Sequence, residues 1–450
     1  MTQTARRTEE WYRERFDLFE RSLNGETASP LHGYRREAIA WFEERGFPTT
    51  RDEEWRFTNV SPIAAVPFLA APLGETPPVE EKEIGSFLFD GMNSIRLVFV
   101  NGSFSPALSA FGSLPGGVKV GSLAGALESD ADIVLEHLLR QVPFDRNGFT
   151  ALNAAFVQDG GFVYVPDGTV VEKPIHLLFL ATGEEQPLLA GPRNLIVAGR
   201  NASLSLVESF ASLSGGSYLT NAVTEFVLGE NAVVEHDKLQ IESARAYHVS
   251  TTQVRQHAAS NFVSNSIAFG GRLVRNDLSS SLDGEGAECT MNGLSVATGD
   301  QLIDNHTAID HARPNCSSHE LYKSILDGRS RGVFSGKIIV RKDAQKTDAK
   351  QTNRTLLLSD EATIDAKPQL EIFADDVKCT HGATVGQLDP EQLFYLRSRG
   401  LGEVASRDLL TYAFASNVIE KVHIDPLREQ LDGMLHARLK LGRVVQQMQG

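Results

Sequence analysis

A short unit recurs through the middle of this chain and narrows the possible folds more than any other feature. An aliphatic residue is followed by a Gly or polar corner, then by a small residue that leads into a β-branched run. The unit appears as VAGRNASLSL from Val197, VLGENAVVEH from Val227, LDGEGAECTM from Leu282, LDGRSRGVFSG from Leu326 and LLSDEATIDA from Leu357. The small residue falls at Ala202, Ala232, Ala287, Gly332 and Ala362, with Ala259 of RQHAASNFVS between them, and the spacing is loosely regular. Self-similarity at about 20 to 50 residues marks a stacked architecture, and short strands without intervening helices mark a β-helix. Each coil presents an apolar row that it cannot bury alone, so coils stack until the rows fuse into a core. Gly and Asn suit the corners because such bends need positive φ. A sandwich or propeller is the runner-up, but no blade signature is present and the repeat is mostly shorter than a blade of about 40 to 45 residues.

The ends read differently. Trp11, Phe16, Phe19 and Leu23 recur at near-helical spacing up to Gly25, and Tyr34, Ala38, Trp41 and Phe42 form a second stripe closed by Gly46 and Pro48. Thr50 and Glu53 suggest a capping box before Trp55 and Phe57. A Pro-rich connector runs from Pro67 to Glu83, SIRLVFV from Ser94 is the first clear strand, and Leu123 to Leu139 looks helical. Past Asp389 and Pro390, an N-cap followed by Pro at the first helical position, the pattern is helical again. One helix stops at Gly400, a second spans roughly Glu403 to Val422, and a third carries Leu427, Leu431, Leu435 and Leu439 at steps of four. That leucine row must pack on the chain's own β core or on a partner. The expected divisions are a helical region over 1–90, a mixed region over 91–155, a β-helix core over 156–388 and a helical domain over 389–450.

With 450 residues the chain can bury a core without staples. Three cysteines, Cys289, Cys316 and Cys379, are too few for a disulfide framework and favour a reducing, cytoplasmic setting. The N-terminus lacks the apolar stretch of a secretory signal, and no run of about 18 apolar residues could span a bilayer. A formal charge of -15 repels a phosphate backbone, which argues against nucleic acid as a general partner.

Chemistry concentrates in two places. Cys379 and His381 lie two apart beside Asp375 and Asp376, and on a strand residues two apart share a face. Thiol and imidazole bind soft and borderline metals, yet one strand supplies two ligands where a tetrahedral site wants four. The rest would come from elsewhere or from a second subunit. The segment HTAIDHARPNCSSHE brings His306, Asp310, His311, Cys316 and His319 close in sequence, with a spacing that matches no established zinc pattern. A basic run of Lys337, Arg341, Lys342, Lys346 and Lys350 reads as a solvated strand face or an anion surface. No phosphate loop, nucleophile elbow or His-Glu-x-x-His appears.

The run SGKIIVRKDAQKTDAKQTNRTLLLSDEATIDAKPQLEIFADDVKCTHGATVGQLDPEQLFYLRSRG, from Ser335 to Gly400, resembles the core of the SufB and SufD family of iron-sulfur cluster assembly proteins. Ile309, Asp310 and His311, and EEWRFTNV from Glu53, are also similar to it. Gly382 after the Cys-x-His, and Leu396 in YLRSRG, place it nearer the SufD branch. The resemblance implies a mainly β fold, a right-handed parallel β-helix core flanked by N-terminal and C-terminal helical domains. It also implies a non-catalytic scaffold that pairs with SufB through its terminal β coils and docks the ATPase SufC on its helical tail, where Phe394, Tyr395, Arg397 and Arg399 are the candidate contacts. His381, and with it Cys379, would handle iron or nascent cluster at the subunit junction, with His381 as the metal ligand. A cluster would reside there transiently, with no cofactor held stably by the isolated chain, which could form a homodimer when alone. Two alternatives remain at this stage: a homodimeric β-helix adaptor, and a metal-dependent β-helix enzyme acting on polysaccharide through His306 to His319.

Overall fold

The computed structural model describes residues 3–23, 30–70, 77–182 and 187–439; Gly25 and the middle of the Pro-rich connector lie outside them. Alternate strands of the core join two sheets, so every coil contributes one strand to each. Sheet A runs inward from Thr363–Ile372 through Arg331–Val340, Leu302–His311, Leu273–Leu282 and Tyr247–Gln256 to Tyr218–Leu228. Sheet B runs from Lys378–Gly386 through Asp348–Leu357, Ser317–Leu326, Glu288–Ala297, Asn261–Ala268 and Val233–Ile241 to Ser203–Ser212. All of these pairings are parallel. The result is the expected β-solenoid, of about seven turns, with helices at both ends.

The loose spacing of the small residues has a structural cause. Strand partners are 29, 29 and 32 residues apart through Leu273, Leu302, Arg331 and Thr363, so the true repeat is one coil of about thirty residues with two corners. Ala202, Ala232 and Ala287 precede strands of sheet B, whereas Ala362 precedes a strand of sheet A and Gly332 is the second residue of another, both by the opposite corner. The long step from Ala287 to Gly332 is one coil, to Cys316, plus a half-coil crossing. The sheet-B corner is turned by a column of left-handed residues, Asn201, Asn231, Ala259, Gly286, Asn315 and Lys346, with φ between 52° and 72°. Asn and Gly adopt this conformation at little cost. Ala259 is therefore the bend itself, and Ser260 is the small residue after it.

Other local expectations shift in detail. The Leu123 to Leu139 segment breaks at Asp130 into Leu123–Ser129 and Ala131–His137. The Thr50 and Glu53 capping box does not form. Asp52 instead accepts from the backbone and hydroxyl of Thr49 ahead of the short helix Glu53–Trp55.

The two ends of the chain cover opposite outer faces of the solenoid. Phe16, Phe42, Phe149 and Phe156 pack over Leu195, Val197, Leu219 and Val249 of sheet A. The C-terminal helices Glu403–Ile419 and Asp425–Arg438 bury Val418, Ile419, Val422, Leu427, Leu431 and Leu435 against Leu239, Ile267, Leu294, Val296 and Ile325 of sheet B. The leucine row thus belongs to the chain's own core.

The EEWRFTNV segment is pinned on sheet A by a buried ionic cluster. Arg275 stacks on Trp55 at 3.8 Å, pairs with Asp277 and Asp304, and donates to the Glu54 carbonyl. Thr58 donates to Asp304 at 2.5 Å. His306 bridges Asp304 and Glu54 at 3.1 and 3.4 Å, one contact to each ring nitrogen. Burial lowers the His306 pKa, but the Asp304 charge and the two hydrogen bonds outweigh it and bring the value to about 9. Because the folded value lies above the unfolded one, this stabilisation is complete below about pH 6.5 and disappears as pH rises through 9. Thermal unfolding followed from pH 6.5 to 10 should show the wild type losing on the order of 2 to 3 kcal/mol more than His306→Gln. Equal pH slopes would refute the charged pairing.

Candidate functional site

The last coil is the open end of the solenoid. Thr363–Ile372 and Lys378–Gly386 are the outermost strands of their sheets, each bonded on one edge only. An unpaired strand edge is a template for another chain. Ile372, Phe373 and Val385 on this coil are 41%, 63% and 48% exposed, so the end carries apolar surface as well as free backbone.

Cys379 and His381 lie on the terminal strand in register with Ala349 and Gln351, both buried inward residues. They therefore share the inward face, as strand alternation requires. Cys379 packs partly against Ile338, Val340, Ala344 and Ala349. Burial pushes its thiol above the ordinary value, so it is not a preformed thiolate. His381 is exposed although it faces inward, because no further coil covers it. Its ring has no hydrogen-bond partner among the described residues. Asp376 is engaged by Lys346, and its backbone N–H donates to Gln345.

Beneath His381 the interior is polar. Gln351 donates to Glu320 at 2.6 Å, and burial raises the Glu320 carboxyl to about 7. Both side-chain polar atoms of Asn353 and the hydroxyl of Thr355 are buried with no hydrogen-bond partner among the described residues. Deeper coils hold a buried ionic group in which Glu208 accepts from Asn194 and Thr224 and pairs with His236 at 2.9 Å. Lys238 there reaches Ser250, His248 and Asn276, and its burial lowers its pKa to about 8. None of these interior residues stood out in the sequence. The signal was present, since residues 320, 351 and 381 recur at one-coil steps, but it appears only once the coil length is known.

Just beyond the open end, Asp389 caps the helix Pro390–Ser398 by accepting from the Glu391 N–H at 2.8 Å. This helix buries none of its residues, and Phe394 and Tyr395 are 74% and 57% exposed. Arg399 lies over the Tyr395 ring at 5.2 Å, and Arg397 pairs with Glu403 at 3.6 Å.

The second sequence cluster disperses. His306 faces outward into the Asp304 and Glu54 contact, His311 points inward to Ser318 at 2.9 Å, and Asp310 pairs with Arg341. Cys316 is a buried corner thiol that donates to the Gly284 carbonyl at 3.3 Å, and His319 is exposed. Among the described residues no three His, Cys, Asp or Glu side chains converge on a metal position. The polysaccharide-enzyme reading loses its site. Lys337, Arg341, Lys346 and Lys350 each pair with an acid, namely Glu371, Asp310, Asp376 and Asp348, and Lys342 has no ion pair among the described residues. Arg341, Lys342 and Lys346 lie in the corner between Arg331–Val340 and Asp348–Leu357, so the basic run is a largely neutralised corner and not one strand face.

Comparison with known proteins bears on the same regions. The SUF system FeS cluster assembly SufBD core domain matches residues 179–414, and the SufBD protein N-terminal region matches residues 6–177. This chain belongs to the SufBD family. An iron-sulfur cluster assembly SufBD family protein of Synechocystis is 34% identical over 417 residues, covering 91% of both chains. The iron-sulfur cluster assembly protein SufD of Escherichia coli is 31% identical over 399 residues, covering 88% of this chain and 90% of its own. SufD of Bacillus subtilis is 27% identical over 422 residues, 91% of this chain and 94% of its own. The SufBD core match takes in the whole terminal coil and the exposed helix after it. No helix among the described residues is long and apolar enough to cross a membrane.

Proposed function

We propose that this chain is the SufD-type scaffold subunit of a SUF complex. It pairs through its last coil with a SufB-type subunit, binds a SufC-type ATPase through the helices after Asp389, and offers His381, with Cys379 beside it, to iron or nascent cluster at the junction. One observation supports the reading: the solenoid ends on a coil bonded on one edge only, which holds an inward-facing His381 in the open with no hydrogen-bond partner among the described residues. Two ligands from one strand are half a site, and a subunit laid on that edge can supply the others. The exposed Phe394 and Tyr395 adjoin the same end, so movement of a bound ATPase would be felt at the junction. Cytoplasmic action suits free thiols that must stay reduced.

Co-expression with SufB-type and SufC-type partners tests the reading. His381→Ala is expected to leave the complex intact and to lower cluster assembly at least about tenfold, since losing a ligand should cost no less than losing an outer-shell partner of one. An intact complex with normal assembly would remove His381 from the site. The exposed Ile372, Phe373 and Val385 also support self-pairing when partners are absent. In that case the isolated chain should elute as a dimer that a SufB-type partner dissolves.

A further inference from the structure

Glu320, Gln351 and His381 stand one above another on three successive strands of sheet B, all at inward positions. Gln351 Nε2 donates to Glu320 Oε2, which leaves Oε1 as the free end of the amide. That Oε1 is buried and has no hydrogen-bond partner among the described residues. Buried acceptors are seldom left unmet, and one that is calls for an explanation. Further in, the amide of Asn276 is spent at both ends, accepting from Lys238 and donating to Asn305, which in turn donates to Ser295, although Thr307 Oγ1 and His311 Nδ1 are also buried without a hydrogen-bond partner among the described residues. Gly336 on the facing sheet leaves room for the amide, because a Cβ there would overlap both Gln351 Nε2 and Cδ. The amide is thus held from below by a carboxyl and from across by a glycine, with its acceptor unspent. The next residue in the column is His381, one strand spacing of about 4.8 Å away, within reach of a ring N–H.

We propose that Gln351 is the positioning residue for His381: when one ring nitrogen of His381 takes ferrous iron, the other donates its N–H to Gln351 Oε1, and Glu320 braces the amide from behind. A metal-binding imidazole that donates its second N–H to a fixed oxygen is locked in one tautomer and one ring orientation, and is a better ligand for it. This rests on the reading of His381 as an iron ligand, and it explains why an exposed residue can still present a defined nitrogen.

The test is anaerobic titration with ferrous iron alone of the full chain in complex with its SufB-type and SufC-type partners. Gln351→Leu should weaken binding about 10- to 100-fold, the scale for losing an outer-shell partner of a metal-bound His. Gln351→Glu keeps an oxygen towards His381 and can share one proton with the adjacent Glu320 carboxyl in place of the amide N–H, so it should restore most of it. Gly336→Ala leaves Gln351 in the chain but displaces its amide, and should weaken binding as well; it decides the matter if Gln351→Leu fails to fold. A merely structural glutamine would change the unfolding midpoint without this pattern of loss and rescue. If His381→Ala abolishes binding while Gln351→Leu and Gly336→Ala bind as tightly as wild type, the positioning role is overturned and the His381 reading stands. If His381→Ala itself binds like wild type, both fall.

Discussion

Arg193→Ala should destabilise the chain by about 3 to 5 kcal/mol, the cost of leaving a buried charge without its partner. Arg193 and Glu225 are both fully buried and meet at 2.7 Å. The guanidinium also donates to Asn153 Oδ1 and to the Val142 carbonyl. Glu225 accepts in turn from the backbone N–H groups of Leu139, Gln141 and Val142. The pair is therefore the hub that fastens the segment around 139–153 to the first coils. Removing the cation leaves a fully buried carboxylate, still bonded to three backbone amides but no longer neutralised. Urea unfolding followed by circular dichroism measures the loss. In a double-mutant cycle, Arg193→Ala combined with Glu225→Gln should cost clearly less than the two single changes added together. Strict additivity would mean that the two charges do not depend on each other.

Replacing both Phe394 and Tyr395 by Ala should cost the ATPase partner on the order of 4 kcal/mol of binding, roughly a thousandfold, if each acts as an interface anchor of about 2 kcal/mol. Large exposed aromatics on a helix with no fully buried residue are poor surface residues unless something covers them. The stability of the free chain should change little, since neither ring contributes to a core cluster. Co-purification with a SufC-type ATPase is the first readout, and a binding isotherm for the separated proteins gives the magnitude. Unchanged affinity would move the docking surface elsewhere. Pairing with a SufB-type subunit, proposed to run through the last coil and not through this helix, should survive the double change.

Much of this protein was legible before any coordinate. The corner units announced a stacked β core because Asn and Gly at bends, small residues after them and β-branched runs are local requirements of a coil, present in each repeat. The Asp389 and Pro390 helix start is likewise local chemistry, and the structure has it as read. Cys379 and His381 could be placed on one face by counting alone. The length of the coil could not, because two corners with similar sequences were merged into one series, and the half-coil step between them looked like irregularity.

What the sequence determined by itself was the class of fold, the helical ends, the shared face of Cys379 and His381, and membership of a family with a long motif. Tertiary structure decided which surfaces meet: that the leucine row lies on sheet B, that His306 and His311 point to opposite sides of one strand, and that Glu320, Gln351 and His381 form a column. The physical reason is that local rules act over a few residues, whereas a column spans coils about thirty residues apart. Its members become neighbours only after strand register has been set by burial of every apolar row at once.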